Sequence, residues 1–178
     1  MSSRLADGSA GDADYGEISF DAAMATFTVH QWPDLAKGLG EVRRVTKGPV
    51  VILTCDPDRV RDFWLYEYAP EVLDTEARRY PAIGEIAKYL GDTVVVPVPV
   101  PHDCVDGFNE AYFARPEMLL EPAARQACSA WSFVDEAAEE RFTRKLTSDL
   151  ADGTWAAKYG ALKEQPAFDG FLVLVISR

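Results

Sequence analysis

Few residues of this 178-residue chain are of types that do chemistry on their own. There are two histidines, His30 and His102, and three cysteines, Cys55, Cys104 and Cys128. A structural metal or disulfide framework announces itself as closely spaced ligands such as C-x-x-C, and none occurs here. The three cysteines are odd in number and far apart, so the expectation is reduced thiols in a cytoplasmic protein. No Ser-His-Asp order and no carboxylate pair stands out. Redox or phosphoryl-transfer chemistry calls for a glycine loop between a strand and a helix. The one G-x-G, Gly38-Leu39-Gly40, falls inside a helical pattern instead. His30 stands at the entry to that helix, where an imidazole packs and hydrogen-bonds as readily as it acts as a base. Trp32 beside it can equally staple the helix start against Leu35 or Leu39.

The whole-chain numbers narrow the partners. With 18 basic against 29 acidic side chains the formal charge is −11. Such a surface repels phosphate backbones, which are bound chiefly by Lys and Arg. The pairs Arg43-Arg44 and Arg78-Arg79 read as solvated helix faces, so nucleic acid is disfavoured. The apolar stretches are strand-sized, short of the roughly 18 residues of a spanning helix, so no membrane partner is expected. Met1-Ser2-Ser3-Arg4 opens no apolar signal core. Nearly half of the residues are apolar, enough for one domain with a real core, residues 1–178.

The elements that must position any site follow from periodicity. Residues 1–17 are small and acidic without an apolar period, which predicts a loose segment. Ser19–Ala25 suits a short strand covered on both faces. Trp32-Pro33-Asp34 opens a helix whose stripe is Leu35, Leu39, Val42 and Val45, stopped by Gly48-Pro49. Pro49–Cys55 is an unbroken apolar run, hence a central strand, and Asp56-Pro57 can start a further helix. Helical patterns follow around 58–68 and 82–90, the second closed by Gly91. Thr93–Val98 reads as a strand at a sheet edge, because Pro97 cannot donate to a ladder. Residues 106–165 read as mostly helical, with Phe142, Leu146 and Leu150 on one stripe and Trp155, Tyr159 and Leu162 on another. Phe171–Ile176 is a last strong strand. Strands alternating with helices give an α/β layered domain.

Three stretches carry a family resemblance. Gly8-Ser9-Ala10 leads to Ser19-Phe20-Asp21-Ala22-Ala23. His30-Gln31-Trp32-Pro33-Asp34 leads to Leu39-Gly40-Glu41-Val42-Arg43-Arg44-Val45. Gly48-Pro49-Val50-Val51-Ile52-Leu53 follows. In this order they resemble the second half of a class I S-adenosylmethionine (SAM)-dependent methyltransferase. There the patterns are G-x-A-x-x-L-P…F-D, then H-H-W-x-D…L-x-E-x-R-R-V, then the fifth strand. Val60–Trp64, Asp103–Asn109 and the terminal strand are similar to one bacterial subgroup of that family, so the likeness covers nearly the whole chain.

The resemblance implies a partial Rossmann-like fold: strands 4-5-7-6 of a seven-stranded sheet, mostly parallel with an antiparallel last strand, and a helical insert or lid over 106–165. It also implies SAM as cofactor. By position, Ala10, Gly11 and Asp12 fall in the loop that packs on adenine; the family has an acid at the Gly11 position, and Asp12 is the neighbouring acid. Ala25, Thr26 and Phe27 follow the fourth strand beside the methionine end of SAM, and His30 becomes the first candidate for a general base, ahead of His102. Trp32, Trp64, Phe108 and Tyr112 become candidates to line a substrate pocket, with Tyr68, Phe113 and Trp131 near them, although dense aromatics are as often core. The family's E-x-G-x-G-x-G loop is not in this sequence, and a fourth strand without its usual neighbour would be an exposed edge suited to self-pairing. Three functions stay open: methyl transfer to a small-molecule acceptor, a non-catalytic interaction module or homodimer, and a small-molecule binding domain.

Overall fold

The computed structural model describes residues 18–178. The expected loose segment over 1–17 lies outside the described residues. In chain order the elements are β1 (Ala23–Thr26), α1 (Leu35–Val45), β2 (Val50–Cys55), α2 (Pro70–Arg79), α3 (Ile83–Leu90), β3 (Thr93–Pro97), β4 (Val100–Pro101), α4 (Pro122–Ala127), α5 (Glu136–Ala151), α6 (Thr154–Tyr159), β5 (Ala167–Phe168) and β6 (Leu172–Ser177).

Four strands form one sheet in the order β1-β2-β6-β3. β1 runs parallel to β2, with Ala25 opposite Ile52. The Asp56 N–H donates to the Phe171 carbonyl at 2.7 Å and the Val98 N–H to the Leu172 carbonyl at 2.9 Å. The start of β6 therefore lies beside the ends of β2 and β3, so β6 is the antiparallel member. This is the expected α/β arrangement, with the last strand inserted between the two before it. β3 lies at an edge, as Pro97 requires. A short antiparallel pair, β4-β5, stands apart from this sheet.

The chain divides into two compact units. The first comprises the described residues to Cys55, with Tyr80–Val96 and Val173–Arg178. Its core is Val29, Leu39, Val50, Ile52, Ile86, Leu90 and Val175, with Ala23, Ala25, Trp32, Leu35, Val42 and Ile83 packed on it. The α1 stripe supplies Leu35, Leu39 and Val42 at spacings of four and three, as the sequence predicts. Asp34 caps α1 by accepting the Lys37 N–H at 2.9 Å. The helix ends at Val45, where the Arg43 guanidinium donates to the carbonyls of Thr46 (2.5 Å) and Gly48 (2.6 Å), groups with no partner inside the helix. α3 closes on Gly91, whose φ of 83° suits glycine.

β1 departs from expectation in two ways. It starts at Ala23, and Phe20 makes only an isolated parallel bridge to Thr46. It is covered on one face alone, for Ala23 and Ala25 meet the core while Met24 is 64% exposed. The alternation of a strand sends neighbouring side chains to opposite faces, so a run of small apolar residues is no proof of double burial.

The second unit comprises Asp56–Arg79 and Pro97–Leu172. The helix expected over 58–68 is instead two 3-10 turns, Val60–Asp62 and Trp64–Glu67, joined by an extended Phe63. Val60, Phe63, Trp64, Leu65 and Tyr68 are all buried. One α-helix would spread three consecutive residues around its axis, and the broken backbone brings all of them inside. α2, starting at Pro70, escaped the sequence reading. The segment 106–165 holds α4, α5 and α6 with 3-10 turns between them, less regular than the expected helical block. Phe142 and Leu146 of the α5 stripe are fully buried, with Phe142 against Trp131 (ring centroids 4.7 Å), and Leu150 is half-buried. Asp135 caps α5 through the Ala138 N–H at 2.8 Å. Among the described residues no helix is long and apolar enough to cross a membrane. Among them, too, no group of three or more His, Cys, Asp or Glu could hold a metal ion.

The two glycines of α1 make opposite predictions. The Trp32 indole lies on Gly38 so closely that a Cβ there would overlap it, whereas a Cβ on Gly40 meets nothing within 4 Å. Alanine gains about 1 kcal/mol over glycine in a helix interior. Gly40→Ala is therefore expected to stabilise by about that amount. Gly38→Ala is expected to destabilise by about 1–3 kcal/mol, because overpacking outweighs the helix gain. Urea titration of both variants measures the two signs.

Candidate functional site

In open α/β sheets ligands gather at the carboxyl ends of the parallel strands. At the end of β1 Thr26 is exposed and Phe27 takes a φ of 51°, a left-handed conformation uncommon outside glycine. The Phe27 N–H still donates to the Leu53 carbonyl at 3.0 Å, so the β1-β2 ladder runs one residue beyond the strand before the chain turns. Backbone strain of this kind persists only where its surroundings impose it, and it gathers at ligand sites. Val29 then anchors the next turn in the core at 2% exposure, which fixes the 3-10 turn Val29–Gln31. His30 sits on that turn, half-buried, its ring 4.4 Å from the Tyr80 ring at 49°. The Gln31 amide nitrogen is 3.4 Å from His30 Nε2.

The fold thus brings Thr26, Phe27 and His30 into one short segment and adds Tyr80, which no sequence motif indicated. Ala25 packs on the core, so it can offer a ligand only its backbone. Trp32 is half-buried on Gly38 and the same core, the stapling role open to it from the sequence. Ala10, Gly11 and Asp12 lie outside the described residues.

The other predicted site residues belong to the second unit. Trp64 is 4% exposed, its indole N–H donates to the Phe113 carbonyl at 3.1 Å, and it meets Trp155 edge-on at 5.6 Å. It is a pillar of that unit's core. Phe108 is half-buried, and Tyr112 is nearly buried beside the Arg115 guanidinium, 5.7 Å from its ring centre. Burial pushes the Tyr112 phenol above its ordinary range. His102 has its ring 6.0 Å from that of Phe113, edge-on.

At the turn between Phe108 and Tyr112 lies what the sequence did not show, two acids with buried carboxyl oxygens: fully buried Glu110 and, from α2, half-buried Glu76. Asn109 donates from Nδ2 to Glu76 Oε1 at 3.0 Å and accepts the Trp131 indole N–H at 3.0 Å. The next residue, Glu110, is fully buried and accepts the Phe171 N–H at 2.7 Å. Burial raises the Glu76 carboxyl to about 7 and the Glu110 carboxyl to about 8, the latter with a further push from the Glu76 charge. One signal was present: Val72, Leu73 and Glu76 share a face of α2 at spacings of three and four. Glu110 stands on a 3-10 turn and leaves no periodic trace.

No protein-family profile matches the chain, and neither does any curated protein. Solved structures do. A protein from Anabaena variabilis, provisionally described as a methyltransferase from an antibiotic biosynthesis pathway, superposes with a TM-score of 0.85 at 26% identity. The match covers 96% of this chain and 71% of that one. YcgJ of Bacillus subtilis gives a TM-score of 0.42 at 16% identity, covering 96% of this chain and 69% of that one. A Haemonchus contortus phosphoethanolamine N-methyltransferase, solved with phosphomonomethylethanolamine and S-adenosylhomocysteine, gives 0.36 at 18%, covering 94% and 35%. The fold assignment rests on the first.

Asn109 is the joint of the buried acid cluster. Asn109→Ala leaves both Glu76 Oε1 and the Trp131 indole N–H without a partner. At about 1–3 kcal/mol for each orphaned group, the expected loss is about 2–4 kcal/mol. Urea unfolding followed by tryptophan fluorescence measures it.

Proposed function

We propose that this chain, whose fold is that of the class I SAM-dependent methyltransferases, serves methyl transfer from SAM to a small-molecule acceptor. The observation that carries the reading is the superposition of 96% of the chain, at a TM-score of 0.85, on a protein provisionally described as a methyltransferase of antibiotic biosynthesis. A small acceptor agrees with that description and with a formal charge of −11, which disfavours nucleic acid. Free thiols on all three cysteines fit a cytoplasmic setting.

The end of β1 suits the cofactor's methionine part. Thr26 offers an exposed hydroxyl, and the left-handed Phe27, its N–H still on the Leu53 carbonyl, turns the chain away from the strand there. Thr26, with the backbone of Ala25 and Phe27, would hold that part; Ala10, Gly11 and Asp12 take the adenine side by position in the sequence. SAM, when bound, supplies a methyl group already activated on a sulfonium, so the protein has chiefly to align the donor and acceptor. His30 is the residue to take the acceptor's proton, and the contact with Tyr80 restricts its ring. Trp32, Trp64, Phe108 and Tyr112 remain acceptor-site candidates on the resemblance alone; Trp32 and Trp64 also pack within their own units.

Calorimetric titration with S-adenosylhomocysteine is expected to give a dissociation constant in the micromolar range. Thr26→Trp should weaken it at least ~10-fold without lowering Tm, because the residue is exposed. In a screen of small phenols, alcohols and amines, His30→Ala should slow product formation on order 10²-fold while binding S-adenosylhomocysteine as the parent does. A folded chain that gives no heat at high ligand concentration would refute the proposal.

A further inference from the structure

The Glu76–Glu110 cluster is built as a site and plays no part in the function proposed above. Glu110 lies flat against the backbone before β6, and only glycine fits opposite it: a Cβ on Gly170 would sit inside the Glu110 carboxyl, 2.8 Å from its carbon. Its Oε1 accepts the Phe171 N–H, and its Oε2 is buried with no hydrogen-bond partner. Glu76 repeats the pattern, with Oε1 on Asn109 and Oε2 buried and unpartnered. Two carboxyl groups on different elements thus each keep one oxygen away from water and without a hydrogen bond, although the Leu172 N–H also faces Glu110 and favours its charge.

The neighbours do not neutralise them. Arg59, in the segment after β2, faces Glu110, but its guanidinium donates to the Asp169 carbonyl at 3.2 Å. Arg79, in the last turn of α2, faces Glu76 but donates to Ser129 at 2.9 Å and lies over the Phe133 ring. Cys128, following α4, also faces Glu76, and its thiol is pushed up to about 12 by burial and then by the Glu76 charge, so it stays neutral. Among the described residues neither acid has an ion pair. An unpaired buried carboxylate takes up a proton instead of paying for desolvation.

We propose that Glu76 and Glu110 form a proton-binding site that couples the seating of the Asn109–Tyr112 turn on the start of β6 to pH. The chemistry is proton uptake by a carboxylate to give a neutral acid, with water as the source. Both acids bind protons more tightly in the folded chain than in the unfolded one. Their contribution to stability is therefore complete below about 4.5, the unfolded value, and is lost as pH rises through about 7 and then about 8. The surface acid Glu67 goes the other way: hydrogen bonds from Lys158 and then Tyr159 hold its carboxyl below the ordinary value, so it titrates at lower pH.

Carbon-13 NMR of glutamate-labelled whole chain tests this directly. Two carboxyl resonances are expected to titrate between about pH 6.5 and 8.5, against an ordinary value near 4.3. Across pH 6–9 the wild-type Tm should fall by about 5–10 °C, and exchange of the Phe171 amide, corrected for intrinsic rate, should quicken ~10-fold. Glu110→Gln keeps the acceptor for Phe171 and removes the charge, so exchange of the Phe171 amide should be nearly flat over that range and the fall in Tm should shrink by more than half; Glu76→Gln should remove the smaller share of that fall. If every glutamate titrates below about pH 5.5, or if both variants keep the wild-type slope, the proposal is wrong. Should Glu110→Gln fail to fold, the wild-type titration and Glu76→Gln decide the matter alone.

Discussion

The constraint on which the structure turns is the seating of β6 between β2 and β3. Strands 50–55 and 93–97 leave backbone donors and acceptors that must be paired, and only a strand between them does so. The start of β6 is correspondingly crowded with hydrogen bonds. The Phe171 carbonyl takes the Asp56 N–H, the Phe171 N–H reaches Glu110, and the Leu172 carbonyl takes the Val98 N–H. Further along, Val175 enters the core of the first unit and the Ser177 hydroxyl donates to the Leu90 carbonyl at 2.7 Å, satisfying an end group of α3. An antiparallel strand can do this because its start, not its end, lies beside the carboxyl ends of its neighbours.

Placing the start of β6 there has an electrostatic consequence. An N–H just before a strand has no ladder partner of its own, and in this protein a carboxyl group fills that role for Phe171. Gly170 is the steric condition for it, because any side chain would displace the acid. The arrangement sets Glu110 where water cannot reach, and Asn109, the preceding residue, draws Glu76 into the same dry region. Among the described residues, the two carboxyl groups pushed upward are Glu76 and Glu110, the ones whose surroundings oppose their charge.

The end of β1 illustrates a different economy. Its ladder with β2 extends one residue beyond the strand, and Phe27 absorbs the change of direction in a left-handed conformation. Burial of Val29 makes that turn definite, so His30 is presented from a fixed backbone and not from a loose loop. The ring of Tyr80 then limits the imidazole from a distant point in the chain.

The sequence by itself determined the elements whose patterns are local. The α1 stripe, its Asp34 cap, the apolar run of β2, the edge nature of β3 and the stop at Gly91 are each written in consecutive residues, and the order of the strands followed from a resemblance in three ordered motifs. Local pattern misled where burial came from outside the segment. One face of β1 is exposed despite its apolar residues, and the aromatic run at 60–68 bends into 3-10 turns so that consecutive rings all point inward. It was silent on pairs separated in sequence: Tyr80 beside His30, and Glu76 with Glu110. A carboxylate in a sequence is a surface charge by default. Whether it is dry, who donates to it and which like charge is near are properties of packing, and packing exists only once the chain has folded.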